Sequence, residues 1–209
     1  MQQGVGQSFS LEQYRRRAGV YDLELAAFEP IRRSAVARLQ LHPGDGVLDA
    51  ACGTGLSFDL LQQVVGPHGR IVAIEQCPEM LEQARTRVAR HGWNNVILLH
   101  ASVEAAKIPY KVDAALFHFT HDVLRNPDAI RNVLRSLKPG ARVVAAGLQW
   151  APSWNWAINC FVMGAALHSV TSLEGLGQPW SLLSGHIGEM QASTELWGGA
   201  YIASGVFFR

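Results

Sequence analysis

The chain has 209 residues, 48% of them hydrophobic and 17% charged, and 18 Lys and Arg against 17 Asp and Glu leave a formal net charge of +1. That length fits one globular domain, in which about 70% of the unfolded surface leaves water. The charge balance argues against a nucleic-acid partner, because phosphate binding relies on accumulated Lys and Arg. Cys52, Cys77 and Cys160 stand far apart, with neither a CxxC pair for zinc nor a dense disulfide framework, which fits free thiols in a reducing cytoplasm. The N-terminus MQQGVGQSFSLEQYRRRAG lacks the apolar core of a secretory signal. The longest apolar stretch, Ala157 to Leu167, contains Asn159 and is too short to span a bilayer. A soluble cytoplasmic protein is expected, with peripheral membrane contact left open.

Residues 1–40 read as an N-terminal helical appendage and 41–209 as the main domain. Leu23, Ala26, Ala27, Ile31, Ala35 and Leu39 recur at helical spacing, broken by Glu29-Pro30, so one or two helices are expected there. The period then changes. Gly46 to Ala51 reads as a buried strand, Ser57 to Val65 as a helix, Arg70 to Glu75 as a second strand, and Pro78 to His91 as a helix with proline in its first turn. Asn95 to His100 and Asp113 to Phe119 follow as strands, then Pro127 to Leu137 as a helix. Ala141 to Gly147 is a fifth strand, entered through the turn Lys138-Pro139-Gly140. Alternating strands and helices predict an α/β fold, a doubly wound, mainly parallel sheet covered on both faces.

The last third differs: after Val143 the only charged residues are Glu174, Glu189, Glu195 and Arg209. A helix from about Asn155 to Val170 is expected. A closing antiparallel hairpin follows, Gln191 to Leu196 and Tyr201 to Phe208 joined through Gly198-Gly199, bringing the sheet to seven strands.

The strongest signal is Asp49-Ala50-Ala51-Cys52-Gly53-Thr54-Gly55, between a predicted strand and a predicted helix. Gly53 and Gly55 allow a sharp turn and let a ligand lie against bare peptide, and the free amides of the helix start favour a negative group. Glu75, twenty residues after Gly55, ends the second strand, where a carboxylate can accept from both hydroxyls of a ribose. A dinucleotide fingerprint would put Gly or Ala at position 58; this chain has Phe58, which disfavours nicotinamide cofactors. Asp49 suits a ligand bearing an ammonium group.

VLDAACGTG, VAIEQCPEML and LKPGARVVAAG together resemble the class I S-adenosylmethionine (SAM) dependent methyltransferases, over roughly Leu41 to Gly147. Within them the chain is similar to the small quinone-biosynthesis C-methyltransferases and to bacterial phospholipid N-methyltransferases. The resemblance implies a Rossmann-like fold, SAM as cofactor and S-adenosylhomocysteine (SAH) as product. It assigns the methionine part of SAM to Asp49 and the backbone around Ala51 and Gly53, the ribose to Glu75, and the flanks of the adenine to Gln76 and Met80, a methionine that core packing explains equally well, and it counts Gly55 among the cofactor-binding residues. Where the family has an acid after strand three, this chain has Ser102-Val103, so a hydroxyl or backbone contact with adenine is expected. The tyrosines Tyr14 and Tyr21 resemble N-terminal residues that fold over the SAM carboxylate or the acceptor; packing of these rings on the sheet is the competing reading.

Methyl transfer needs alignment more than acid–base chemistry, so no particular catalytic residue is required. Phe117-His118-Phe119-Thr120-His121-Asp122, after strand four, lies beside the donor crevice in this topology, with Phe117 toward the cofactor. His121 is the first candidate to bind the acceptor or take its proton and His118 the second, and strand alternation would let one of them face the site. A structural hydrogen bond is the alternative for each, and Asp122 reads as a cap or orienting group. Trp150, Trp154, Trp156 and Trp180 form either the walls of an apolar acceptor pocket, a homodimer interface or ordinary core. Arg15, Arg16, Arg17, Arg32 and Arg33 read as a solvated basic face, with an anionic acceptor group as the alternative. The expected activity is methyl transfer to N, O or C of a small-molecule or lipid acceptor, lipophilic or aromatic. The alternatives are transfer of the aminocarboxypropyl group of SAM and a non-catalytic SAM-fold binding subunit.

Overall fold

The computed structural model describes residues 25–169 and 172–208. The strands are β1 (Gly46–Ala50), β2 (Arg70–Glu75), β3 (Val96–His100), β4 (Val112–His118), β5 (Leu137–Leu148), β6 (Gln191–Glu195) and β7 (Ala200–Val206). They form one 7-stranded sheet in the order β3-β2-β1-β4-β5-β7-β6. β1 to β5 run parallel, and β7 alone is antiparallel to both its neighbours. The chain starts at β1, steps outward to β3, then crosses back to β4. The crevice where the order reverses, at the carboxyl ends of β1 and β4, is where open α/β sheets bind ligands.

The helices are α1 (Glu29–Arg38), α2 (Phe58–Val65), α3 (Pro78–His91), α4 (His121–Leu124), α5 (Pro127–Arg135), α6 (Trp156–Ser169) and α7 (Ser181–Ser184). Pro30 opens α1 rather than breaking it, since a residue without an N–H is tolerated in the first turn. α3 starts at Pro78 and stops at Gly92, whose φ of 65° is left-handed. The Lys138-Pro139-Gly140 turn lies inside β5, as a register shift between Val112↔Leu137 and Ala114↔Arg142. α4 and α7, four residues each, are too short to show a helical period.

One face of the sheet packs against α5 and α7 through Ala129, Ile130, Val133 and Leu183. The other packs against α1, α2 and α6 through Ile31, Ala35, Leu61 and Val162. α1 contacts β4, β5 and β7. α6 buries Val162 and Ala166 but exposes Trp156, Phe161, Met163 and Leu167. Among the described residues no helix is long and apolar enough to cross a membrane.

Candidate active site

Beyond β1 the backbone turns through Ala51, Gly53 and Gly55 with φ of 62°, 58° and 79°. Only a residue without Cβ fits at Gly55, because a Cβ there would lie 2.4 Å from Cε2 of Phe58. The Phe58 ring, wholly buried, occupies the place that a dinucleotide fold keeps for a small third residue.

Glu75, at the end of the neighbouring strand, reaches this turn. Its Oε2 accepts from the N–H of Gly53 at 2.9 Å and its Oε1 from the N–H of Cys77 at 2.7 Å. Burial raises its pKa, and the N–H groups of Cys77, Gly53 and Gln76 pull it back down. The carboxylate is therefore held at the mouth of the glycine turn. Asp49 is 2% exposed, and its Oδ2 has no hydrogen-bond partner. Desolvation pushes its carboxyl up to about 7, against the lowering influence of Arg32 and with a further rise from Glu75. A buried carboxylate oxygen without a donor fits an incoming cation. The bare turn thus has a bonded carboxylate on one side and an unpartnered, buried carboxylate oxygen on the other.

His118 ends β1's other neighbour, β4, and His121 lies three residues beyond it. His121 is buried and His118 half-buried; Phe119, at φ 56°, follows the strand and His121 opens α4. His118 is driven down to about 3, first by desolvation and then by Arg32, so it is neutral near pH 7 and its Nε2 has no partner. His121 Nε2 lies 2.9 Å from the carbonyl oxygen of Glu174. A carbonyl only accepts, so this nitrogen carries the proton and Nδ1, which has no partner, keeps its lone pair. Burial lowers the His121 pKa, partly offset by the Glu174 carbonyl and Asp122. Next to it a small cavity of about 20 Å³ is lined by residues that include Phe119, Thr120, His121, Leu176 and Tyr201, with room for about one water. The Thr120 hydroxyl is buried there without a partner.

The remaining expected site residues divide. Gln76 is exposed, and its carbonyl meets His100 Nε2 at 3.2 Å. Met80 is buried on α3. The Ser102 carbonyl accepts from Ala105 and Ala106, and the Val103 carbonyl from Asn132. Phe117 belongs to the core of the sheet. Tyr14 and Tyr21 lie outside the described residues. The four-tryptophan wall is corrected: Trp154 is 77% and Trp156 72% exposed, so neither encloses a pocket. The Trp180 ring lies tilted against that of Tyr201, centroids 4.6 Å apart, and Trp150 is half-buried. The indoles separate because α6 presents to the core its small residues and Val162, and its large ones to solvent. Cys52 is a protonated thiol, its pKa raised by burial, Asp49 and Glu75.

Arg32 is the residue the basic-face reading missed. It is 2% exposed, whereas Arg33 beside it has a 65% exposed side chain. Its signal was its position: Phe28, Ile31, Arg32, Ala35, Val36 and Leu39 form the core-facing stripe of α1, and an arginine in that stripe points inward.

Sheet order and glycine turn together define a Rossmann-like methyltransferase fold. Residues 47–140 match the family described as methyltransferase domain. Over these residues the chain is similar to SAM-dependent methyltransferases. The demethylmenaquinone methyltransferase of Symbiobacterium thermophilum is 31% identical over 121 residues, 56% of this chain and 48% of that protein. The chain thus matches about half the length of this relative. The N-methyltransferase NodS of Bradyrhizobium japonicum WM9, solved with SAH, shares the fold at a TM-score of 0.69 and 17% identity, covering 95% of this chain and 98% of that one. An rRNA methylase from Streptococcus thermophilus does so at a TM-score of 0.55 and 16% identity, covering 86% and 95%.

Proposed function

We propose that the protein transfers a methyl group from SAM to a nitrogen, oxygen or carbon atom of a small lipophilic or aromatic acceptor. SAM supplies a carbon already activated by its sulfonium. The chain's part is to hold donor and acceptor in line and keep water out, and alignment of this kind supplies about 7–11 kcal/mol. The observation that carries the reading is Glu75 bonded to the N–H of Gly53 beside the unpartnered, buried Oδ2 of Asp49. In this reading Asp49 takes the ammonium of the donor, Glu75 the ribose hydroxyls, and the residues around Gly53 and Gly55 the chain between them.

The acceptor lies on the β4 side. His121 Nδ1 is the proton acceptor when the methylated atom arrives protonated, with the Glu174 carbonyl holding the tautomer that leaves this nitrogen free. The cavity beside it is too small for an organic acceptor, so binding must open the cover formed by α6 and Leu176. Apolar lining and a near-neutral chain support a small or lipid acceptor over a nucleic acid, and the exposed apolar face of α6 supports contact with a membrane surface.

Incubation with SAM and a panel of reduced quinones, phenols and amines, read by mass spectrometry of the nucleoside product, tests the reading. SAH formed in step with a product 14 mass units heavier is expected. Methylthioadenosine would mean aminocarboxypropyl transfer instead, and SAM binding without turnover across the panel and with RNA would favour a binding subunit.

A further inference from the structure

A second concavity opens at the opposite end of the sheet from the glycine turn. It is a cleft of about 680 Å³, within the roughly 300–1,000 Å³ usual for organic ligands. Arg131 and Arg135 reach it from the last turns of α5, Lys138 from the start of β5, and Lys111 from the position immediately before β4. β4 is 7 residues long and the crevice lies at its carboxyl end, so roughly 20 Å separate the two places.

Four cations gather at this cleft, and helix chemistry does not explain the number. A cation in the last turn of a helix complements its dipole, which accounts for one of them. Arg131 and Arg135, however, stand four apart on one face of α5, a spacing at which like charges destabilise a helix. The Lys111 ammonium donates to the Arg135 carbonyl oxygen, which brings a further cation to the same helix end. Two carboxylates offset part of this charge: Asp128 holds Arg131 and Asp113 holds Lys138, each at 2.8 Å. Lys111 and the Arg135 guanidinium have no carboxylate partner among the described residues, and none of the described residues lining the cleft is acidic.

The floor is apolar. Leu134, Leu137 and Phe207 line it, core residues at 8%, 2% and 8% exposure. A bare anion would gain nothing from that floor, and an apolar molecule would gain nothing from the two free cations. One ligand uses both when it joins an anion to an apolar body. Two uncompensated positive charges match a phosphate monoester, which carries about −1.5 to −2 near pH 7, better than a carboxylate with its single charge.

We propose that this cleft is a second binding site, separate from the crevice beyond β1 and β4, for an organic phosphate monoester. Its apolar or aromatic body lies on Leu134, Leu137 and Phe207, and its phosphate is held by Lys111 and Arg135. The guanidinium offers two parallel N–H donors to phosphate oxygens, and the ammonium adds a point charge. The site is independent of where SAM binds.

Calorimetric titration of the full chain with phenyl phosphate, inorganic phosphate, benzoate and phenol tests it. Phenyl phosphate should bind about tenfold or more tightly than any of the other three, and its affinity should fall as salt is raised. Arg135→Gln should weaken phenyl phosphate about fivefold or more, and adding Lys111→Gln should bring it down to the level of phenol. Both side chains are exposed, and Arg135→Gln alone leaves the bond from Lys111 to the end of α5 in place, so a folded variant is available. Glu75→Ala, at the other end of the sheet, should leave phenyl phosphate binding unchanged. Absence of binding, equal affinity for phenyl phosphate and inorganic phosphate, or unchanged affinity in the double variant would each overturn the proposal. So would loss of binding in Glu75→Ala, which would put the ligand beside the glycine turn. Tighter binding of a single-stranded RNA with the same dependence on Arg135 would overturn it in favour of a nucleic-acid surface.

Discussion

The two halves of the sheet solve different problems. From β1 to β3 the polar side chains near the crevice are fixed: Glu75 bonds two backbone N–H groups, and Gly55 leaves no room for a Cβ under Phe58. From β5 to β7 the chain is nearly free of charge, and its large side chains are split between a tight core at Tyr201 and an open face at Trp154, Trp156 and Trp197. Under the function proposed above, the first half is a rigid, polar cradle for the donor and the second an adaptable apolar cover for the acceptor.

That comparison is sharpened first at the loop from His118 to His121. If His121 takes a proton from the acceptor, His121→Gln should lower kcat by about 10²–10⁴-fold while the affinity for SAH stays put. Since burial lowers the His121 pKa, the wild-type rate should already be on its plateau by pH 7 as far as this group is concerned. A variant with full rate would assign His121 to wall structure only.

Gly55→Ala should be the most damaging single methyl on the donor side. It adds a clash with Phe58 to a φ of 79°, and about 2–4 kcal/mol of stability should disappear from urea unfolding. A loss below about 0.5 kcal/mol would show that the cradle yields as readily as the cover.

Asp49 predicts a pH dependence of definite sign. Its pKa is raised on folding from 3.8 to about 7, so the ionised form is the disfavoured one in the fold without donor. The cost is absent below the unfolded pKa, accrues as pH rises from about 4 to about 7, and then levels off at a few kcal/mol. Asp49→Asn should therefore gain stability over the wild-type chain across that window and little more above it. SAH binding shows the opposite trend: wild-type affinity should rise as pH approaches and passes 7, while the Asn variant stays weak and flat.

The smallest effect is expected where the surface is most apolar. Trp154→Ser and Trp156→Ser should each change stability by less than about 0.5 kcal/mol, because both indoles are already in solvent. A loss above about 1 kcal/mol would mean that they are covered in solution.

The donor half was legible because its rules are local. A glycine turn, a prolined helix start at Pro78 and a carboxylate at the end of a buried strand each leave a mark within a few residues, and β2 and α3 fall where the periodicity puts them. The acceptor half was less legible because its arrangement is tertiary. Four tryptophans in one charge-poor stretch suggested a common pocket, but the direction α6 turns its small face sends Trp156 outward and leaves Val162 inside. The His121 tautomer depends on a carbonyl 53 residues away. Arg32 lay between these cases: its place in the apolar stripe of α1 was visible, but the basic residues grouped with it suggested a solvated face.

The placement of SAM is tested most directly by calorimetric titration of SAH into the wild-type chain and Glu75→Ala at one pH above 7. Loss of a buried carboxylate that receives the ribose hydroxyls should weaken SAH by about ten- to hundredfold with the fold retained by circular dichroism. Equal affinity in the two proteins would contradict the account, because the sugar would then be held by something other than the end of β2.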